Sequence, residues 1–75
     1  MATEPDADFD EIYVGHVARV VRLAALLGAQ DPEDVAQEAF VRLYAARARV
    51  REPELVAYLN RIVVNEVRGR AAYRR

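Results

Sequence analysis

Tyr58, Arg61, Asn65 and Arg68 recur at spacings of three, four and three, which on a helix gathers them within about 80° of one another. Guanidinium groups hold phosphate, an amide reads a base edge, and a phenol ring stacks on an unpaired base, so this set suits nucleic acid. The same residues also describe an ordinary solvated helix face. Arg47, Arg49 and Arg51 precede the set and Arg70, Arg74 and Arg75 follow it, and that surrounding positive charge tips the reading toward a polyanion. A second group, Asp34, Gln37, Glu38, Val41 and Ala45, falls in a helical wedge of roughly 100°. It is either a wet surface or a docking face for another protein, with polar groups giving direction and the apolar pair giving buried area.

The absent residue types exclude most other chemistry. The chain of 75 residues has no Cys, Ser, Lys or Trp, a single Thr (Thr3) and a single His (His16), so the usual nucleophiles and metal ligands are missing. No catalytic constellation, metal site or cofactor site is expected, and the chain does not read as an enzyme. His16 reads as a boundary residue beside an apolar stripe. Glu52 and Glu54, flanking Pro53, are explained by the helix macrodipole at a helix start. A chain of this length holds one core at most and no deep cavity to shelter a small-molecule substrate. Without cysteine, stability rests on apolar packing, which the 53% hydrophobic content makes feasible. The longest apolar stretch, Val20 to Gly28, contains Arg22 and falls far short of the ~20 residues that span a bilayer. The first residues are acidic where a signal peptide is basic, so a cytoplasmic location is expected.

The net charge of −1 conceals a division along the chain. Residues 1–38 carry nine acidic and two basic groups, and residues 39–75 carry three acidic and nine basic, giving −7 against +6. All eleven basic residues are Arg, which together with fourteen Ala also fits a GC-rich genome.

Three helices must position these faces. Phe9, Ile12, Tyr13, Val17, Val20, Val21, Ala24 and Leu27 follow three-four spacing, and predict a helix over about 9–27 with Asp8 as cap, Glu11 closing a capping box and Gly28 as terminator. Residues 1–7 read as a disordered tail, and 8–75 as a single helical domain. Asp31 as N-cap, Pro32 at the first position and acid in the first turn open a second helix over about 32–47. Its stripe is Val35, Ala36, Ala39, Phe40, Leu43, Tyr44 and Ala46. Pro53 restarts the chain as a third helix over about 53–69, with Leu55, Val56, Leu59, Ile62, Val63 and Val67 on one side. Val63 and Val64 favour strand by propensity, but the periodicity decides for helix. None of these stripes can be buried alone, so the expected fold is all-α, a small three-helix bundle with Phe9, Tyr13, Phe40 and the leucines in its core.

The run from Asp31 to Tyr44 (DPEDVAQEAFVRLY) resembles the acidic D-x-x-D-x-x-Q-E-x-F segment of region 2 in bacterial sigma factors, especially the extracytoplasmic-function group. Ala57 to Asn65 (AYLNRIVVN) resembles the same group's run ending in R-I-x-x-N, and Phe9, Tyr13 and His16 resemble the start of its first helix. The three strings stand in the right order over nearly the whole chain from Phe9. The resemblance implies that Asp34, Gln37, Glu38 and Val41 dock on the clamp helices of the RNA polymerase β′ subunit. It also implies that Arg47, Arg49, Arg51, Tyr58, Arg61, Asn65 and Arg68 grip and melt the promoter minus-ten element on its non-template strand. Asn65 matches a position that borders a pocket for a flipped base. An anti-sigma factor is the implied regulator, and neither a membrane nor a small-molecule substrate is implied. Tyr58 stands where many members carry Trp, and Gly69 where Asp is common; Gly69 predicts that the third helix frays or ends near Arg68. Full-length members carry a second helical domain that reads the upstream promoter element, so this chain reads as an excised domain.

Two other readings compete. A helical protein-interaction module that regulates transcription without direct DNA binding would keep the Asp34/Gln37/Glu38 face but would not require Arg61, Asn65 and Arg68 together. A helix-turn-helix repressor fits poorly, because its helices are joined by a tight turn rather than the basic link from Arg47 to Arg51.

Overall fold

The computed structural model describes residues 4–74, with side chains described for residues 9–72. Helix α1 spans Glu4–Leu26, α2 spans Pro32–Ala45 and α3 spans Leu55–Arg74, with two 3-10 turns, Arg47–Arg49 and Glu52–Glu54, between α2 and α3. No strand occurs among the described residues, and the fold is the expected all-α bundle.

Several boundaries differ from those predicted. Helix α1 begins at Glu4, so residues 4–7 are helical rather than tail, and Asp8 and Glu11 lie inside the helix instead of capping it. Pro5 falls in the first turn, where a fixed φ and a missing N–H cost nothing; Met1 to Thr3 of the expected tail lie outside the described residues. Helix α2 stops two residues early. The buried Ala46 shares its N–H between the carbonyls of Arg42 and Leu43, both at 3.1 Å, and this bifurcation tightens the chain into the 3-10 turn at Arg47. Helix α3 starts as α-helix at Leu55 and runs through Gly69 to Arg74 instead of fraying near Arg68. Arg70, one residue beyond the glycine, is tied to both Asp34 and Glu66, and this anchorage offsets the ~1 kcal/mol that glycine costs in a helix.

The turn between α1 and α2 is built as expected around Gly28, whose φ is +92°. Ala29 N–H bonds the Ala24 carbonyl and Gly28 N–H bonds the Ala25 carbonyl, each at 3.0 Å, a Schellman closure that needs the left-handed conformation glycine adopts without strain. The closure packs Ala29 against the core and leaves Leu26 and Leu27 exposed at 80% and 41%, so these two leucines are not core residues. Asp31 occupies the N-cap position of α2, and its carbonyl accepts from Val35 N–H at 3.1 Å, but its side chain makes no capping bond.

Helix α2 is the central element. It supplies Val35, Ala36, Ala39, Phe40 and Leu43 to a nine-residue core completed by Val20 and Ala24 of α1 and Leu59 and Val63 of α3. The alanines let the helix backbones approach closely, and every member is at most 3% exposed. Toward α1 the packing is aromatic. Phe40 meets Phe9 and Tyr13 edge to face with ring centroids 6.3 and 4.9 Å apart, and Phe9 meets Tyr44 in the same way at 4.9 Å, the geometry that ring quadrupoles favour. Phe9 and Tyr13 are half-buried against the core rather than enclosed by it, while Tyr44 and Val56, both expected in buried stripes, are exposed. His16 donates from Nδ1 to the Ile12 carbonyl at 2.9 Å, a local bond within α1. A polar contact joins helices α1 and α3, Arg19 Nη1 donating to Asn60 Oδ1 at 2.8 Å.

Candidate nucleic-acid interface

An open groove of ≈ 510 Å³ runs between the C-terminal half of α2 with its following turn and one side of α3. Arg42, Ala45, Ala46 and Arg49 line one wall, and Tyr58, Ile62, Asn65, Glu66 and Gly69 line the other. The helical repeat explains the second wall: positions 58, 62, 65 and 69 follow three-four spacing and share one face. The groove therefore brings together Arg49, Tyr58 and Asn65 of the residues expected to contact DNA, although Arg49 lies nine residues from Tyr58 in sequence. Tyr58 is half-buried and Asn65 exposed, so the ring is held by packing while the amide stays accessible.

The other expected contacts are placed differently. Arg61 and Arg68 are exposed and lie about 60–80° around α3 from Tyr58, at the rim rather than in the groove. Arg47 turns back onto α2. It donates to the Tyr44 carbonyl at 2.6 Å and stacks its guanidinium 3.7 Å from the Tyr44 ring centroid, a cation–π contact that uses part of its binding capacity locally. Arg47 lines a separate, wider recess of ≈ 1030 Å³ against α1, with Phe9, Ile12, His16, Val50 and Leu55 among its walls. Arg51 is exposed in the link between the two 3-10 turns and lines neither depression. The half-buried Val50, in extended conformation and packed on the core, anchors that link. The side chains of Arg74 and Arg75 lie outside the described residues.

Gln37 and Val41, expected to dock a protein, are exposed, and Val41 reaches 60%. Asp34 and Glu38 present a different picture because an ion-pair ladder already engages both. Arg70 Nη1 meets Asp34 at 2.7 Å and Arg70 Nε meets Glu66 at 2.9 Å. Arg42 Nε lies 3.4 Å from Glu66 and 3.2 Å from Glu38. The bonds to Asp34 first and Glu66 second raise the Arg70 pKa above its ordinary value, so this guanidinium is permanently charged and belongs to the α2–α3 seam rather than to a basic tail. Glu38/Arg42 and Glu66/Arg70 are each four residues apart, a spacing legible in sequence. The cross-helix contacts, and with them the place of Arg42 and Glu66 in the groove, have no local signal and were not anticipated.

Among the described residues no cluster of His, Cys, Asp or Glu is arranged to hold a metal ion, and no helix is long and apolar enough to cross a membrane. No curated protein and no solved structure matches the chain. A family model does: Sigma-70 region 2 aligns with residues 12–75, which takes in the last four turns of α1, all of α2 and both walls of the groove. That match covers most of the sequence, and it accounts for the helical bundle as a sigma factor domain with a role in promoter recognition. The chain belongs to the sigma-70 region 2 family.

Proposed function

We propose that this domain works in an extracytoplasmic-function type sigma factor, docking through the α2 face on the β′ clamp helices of RNA polymerase and taking the non-template strand of the promoter minus-ten element into the α2–α3 groove. The observation that carries the reading is the convergence of Arg49, Tyr58 and Asn65 on that groove, with Arg61 and Arg68 at its rim. Each group has a separate task. Arginines neutralise phosphate, Tyr58 offers a face on which an unstacked base can rest, and Asn65 offers a donor and an acceptor to a base edge. Extruding a base from the duplex costs a few kcal/mol of stacking and pairing. Capture on the Tyr58 and Asn65 wall returns part of that cost, so one contact set both reads sequence and favours melting. No covalent step is involved.

Docking through Asp34, Gln37, Glu38 and Val41 proceeds by exchange. A cationic partner displaces Arg70 from Asp34 or Arg42 from Glu38, while Gln37 and Val41 add an uncharged hydrogen bond and apolar area. Regulation by an anti-sigma factor that covers one or both faces, in the cytoplasm, completes the proposal. The test is binding of the domain to a single-stranded minus-ten oligonucleotide against a scrambled strand of equal composition, at stated salt. Preference for the matched strand is expected; equal affinity would reduce the groove to a general electrostatic surface, and no binding to either would reject the reading.

A further inference from the structure

We propose that Arg42 is a strand-binding residue of the groove and that Glu66 is the positioning residue that holds it there. The inference rests on the reading of the groove as a single-strand site and adds two residues that the resemblance does not assign. Arg42 lines the groove beside Arg49 and keeps 58% of its side chain exposed. Its Nε lies 3.2 Å from Glu38 and 3.4 Å from Glu66. A guanidinium carries five N–H donors, so these two contacts leave it with capacity for a phosphate.

The charges explain why such a holder is required. Glu66 also lines the groove, with its side chain only 15% exposed, and an uncompensated carboxylate there would repel a phosphodiester. It is bracketed instead by Arg70 at 2.9 Å and Arg42 at 3.4 Å. Arg70 is committed on its other side to Asp34, so Arg42 is the member of the ladder placed to face an incoming strand. Glu66 therefore acts through Arg42: it fixes the stem side of the guanidinium and removes part of the rotamer entropy that a long exposed side chain loses on binding phosphate.

Fluorescence anisotropy of a short, labelled single-stranded deoxyoligonucleotide of mixed sequence, titrated with the full chain at several salt concentrations, tests both roles. Arg42→Gln is expected to lower the salt slope by about 0.7 whatever the sequence, and Arg42→Lys to restore it. Glu66→Gln gives the sharper result. It makes the groove more positive, so simple electrostatics predicts tighter binding, whereas loss of the holder predicts binding weaker by about two- to fivefold, the size of one surface ion pair. Helical circular dichroism and a thermal melt verify folding, and should Arg42→Gln not fold, Arg42→Lys combined with Glu66→Gln still carries the sign test. Wild-type binding together with an unchanged slope in Arg42→Gln, or tighter binding by Glu66→Gln, overturns this inference while leaving the single-strand reading intact. Absence of wild-type binding overturns both.

Discussion

Helix α2 has two seams, and they are made of different materials. Toward α1 it packs Phe40 against Phe9 and Tyr13 with edge-to-face rings. Toward α3 it adds to the apolar contacts of Leu59 and Val63 a ladder of four ion pairs beside an open groove. Burial of rings and aliphatic groups is worth kcal/mol apiece, whereas exposed ion pairs contribute at most about 1 kcal/mol each. The apolar core is thus shared by both seams, while the α2–α3 seam adds the ion pairs and keeps its groove walls accessible. A domain of 75 residues cannot leave both seams open, because a chain this small buries barely enough surface to fold.

The most direct way to break this contrast is to remove the ring that organises the first seam. Phe40 is 3% exposed and meets the rings of Phe9 and Tyr13, so Phe40→Ala is expected to cost about 3–5 kcal/mol. Set against the total stability of a small domain, that loss leaves it largely unfolded at ambient temperature. Urea denaturation of wild type and variant measures the loss; a cost below about 1 kcal/mol would show that the apolar seam is not the stabilising one.

The second seam is sharpened by variants of its groove wall, each checked for folding by circular dichroism. Tyr58→Ala is expected to lose ~1–3 kcal/mol of single-strand affinity with little sequence preference, as stacking is tolerant of base identity. Asn65→Ala is expected to leave the salt slope nearly intact and to lose ~1–3 kcal/mol of discrimination at one base. Matched and scrambled strands, titrated at two salt concentrations, separate these outcomes. If Asn65→Ala weakens both strands equally, the amide reads no base and the α3 wall acts by charge alone.

The sequence discloses the first seam more fully than the second, for a physical reason. Apolar periodicity reports a buried face directly, so the core members Val20, Ala24, Val35, Ala36, Ala39, Phe40, Leu43, Leu59 and Val63 all stand in the predicted stripes. The turn at Gly28 is equally local and equally legible. The termini of the stripes are not, because burial there depends on what the chain packs next: the Schellman closure takes Ala29 inward and leaves Leu27 out. The groove is intermediate. Helical spacing places Tyr58 and Asn65 on one face, but Arg42 and Glu66 come together across 24 positions of sequence, a separation over which no local pattern carries information. Arg19 and Asn60, paired across 41 positions, were missed for the same reason.

Gly69 offers a smaller test of how the second seam holds α3. A Cβ built at Gly69 meets nothing within 4 Å, and the helix continues to Arg74. Gly69→Ala is therefore expected to stabilise the domain by ~0.5–1 kcal/mol by reducing the entropy of the unfolded chain. Because Gly69 also lines the groove, the added methyl group serves as a probe of contact. A rise in melting temperature with unchanged strand affinity locates the bound strand nearer Tyr58, while a rise accompanied by weaker binding extends the contact along the whole wall.

The smallest effect belongs to Arg70, and its size is the point of the comparison. Its raised pKa means that the folded state binds this proton more tightly than the unfolded chain does. The associated stability is fully present below arginine's ordinary value and is lost only as pH rises through the still higher folded value, so alkaline titration in any usable range leaves it untouched. Salt is the appropriate lever, because the partners of Arg70 are partly exposed and a Debye length of about 3 Å at 1 M screens them. Arg70→Ala is expected to cost at most about 1 kcal/mol in dilute buffer and to approach zero in 1 M sodium chloride, whereas the cost of Phe40→Ala persists at both salt concentrations. The same substitution frees Asp34, so under the exchange mechanism it is expected to strengthen docking on the clamp helices modestly as it weakens the fold. Loss of docking in Arg70→Ala would instead mean that the ladder shapes the α2 face for its partner, and that the two seams are coupled rather than divided in their work.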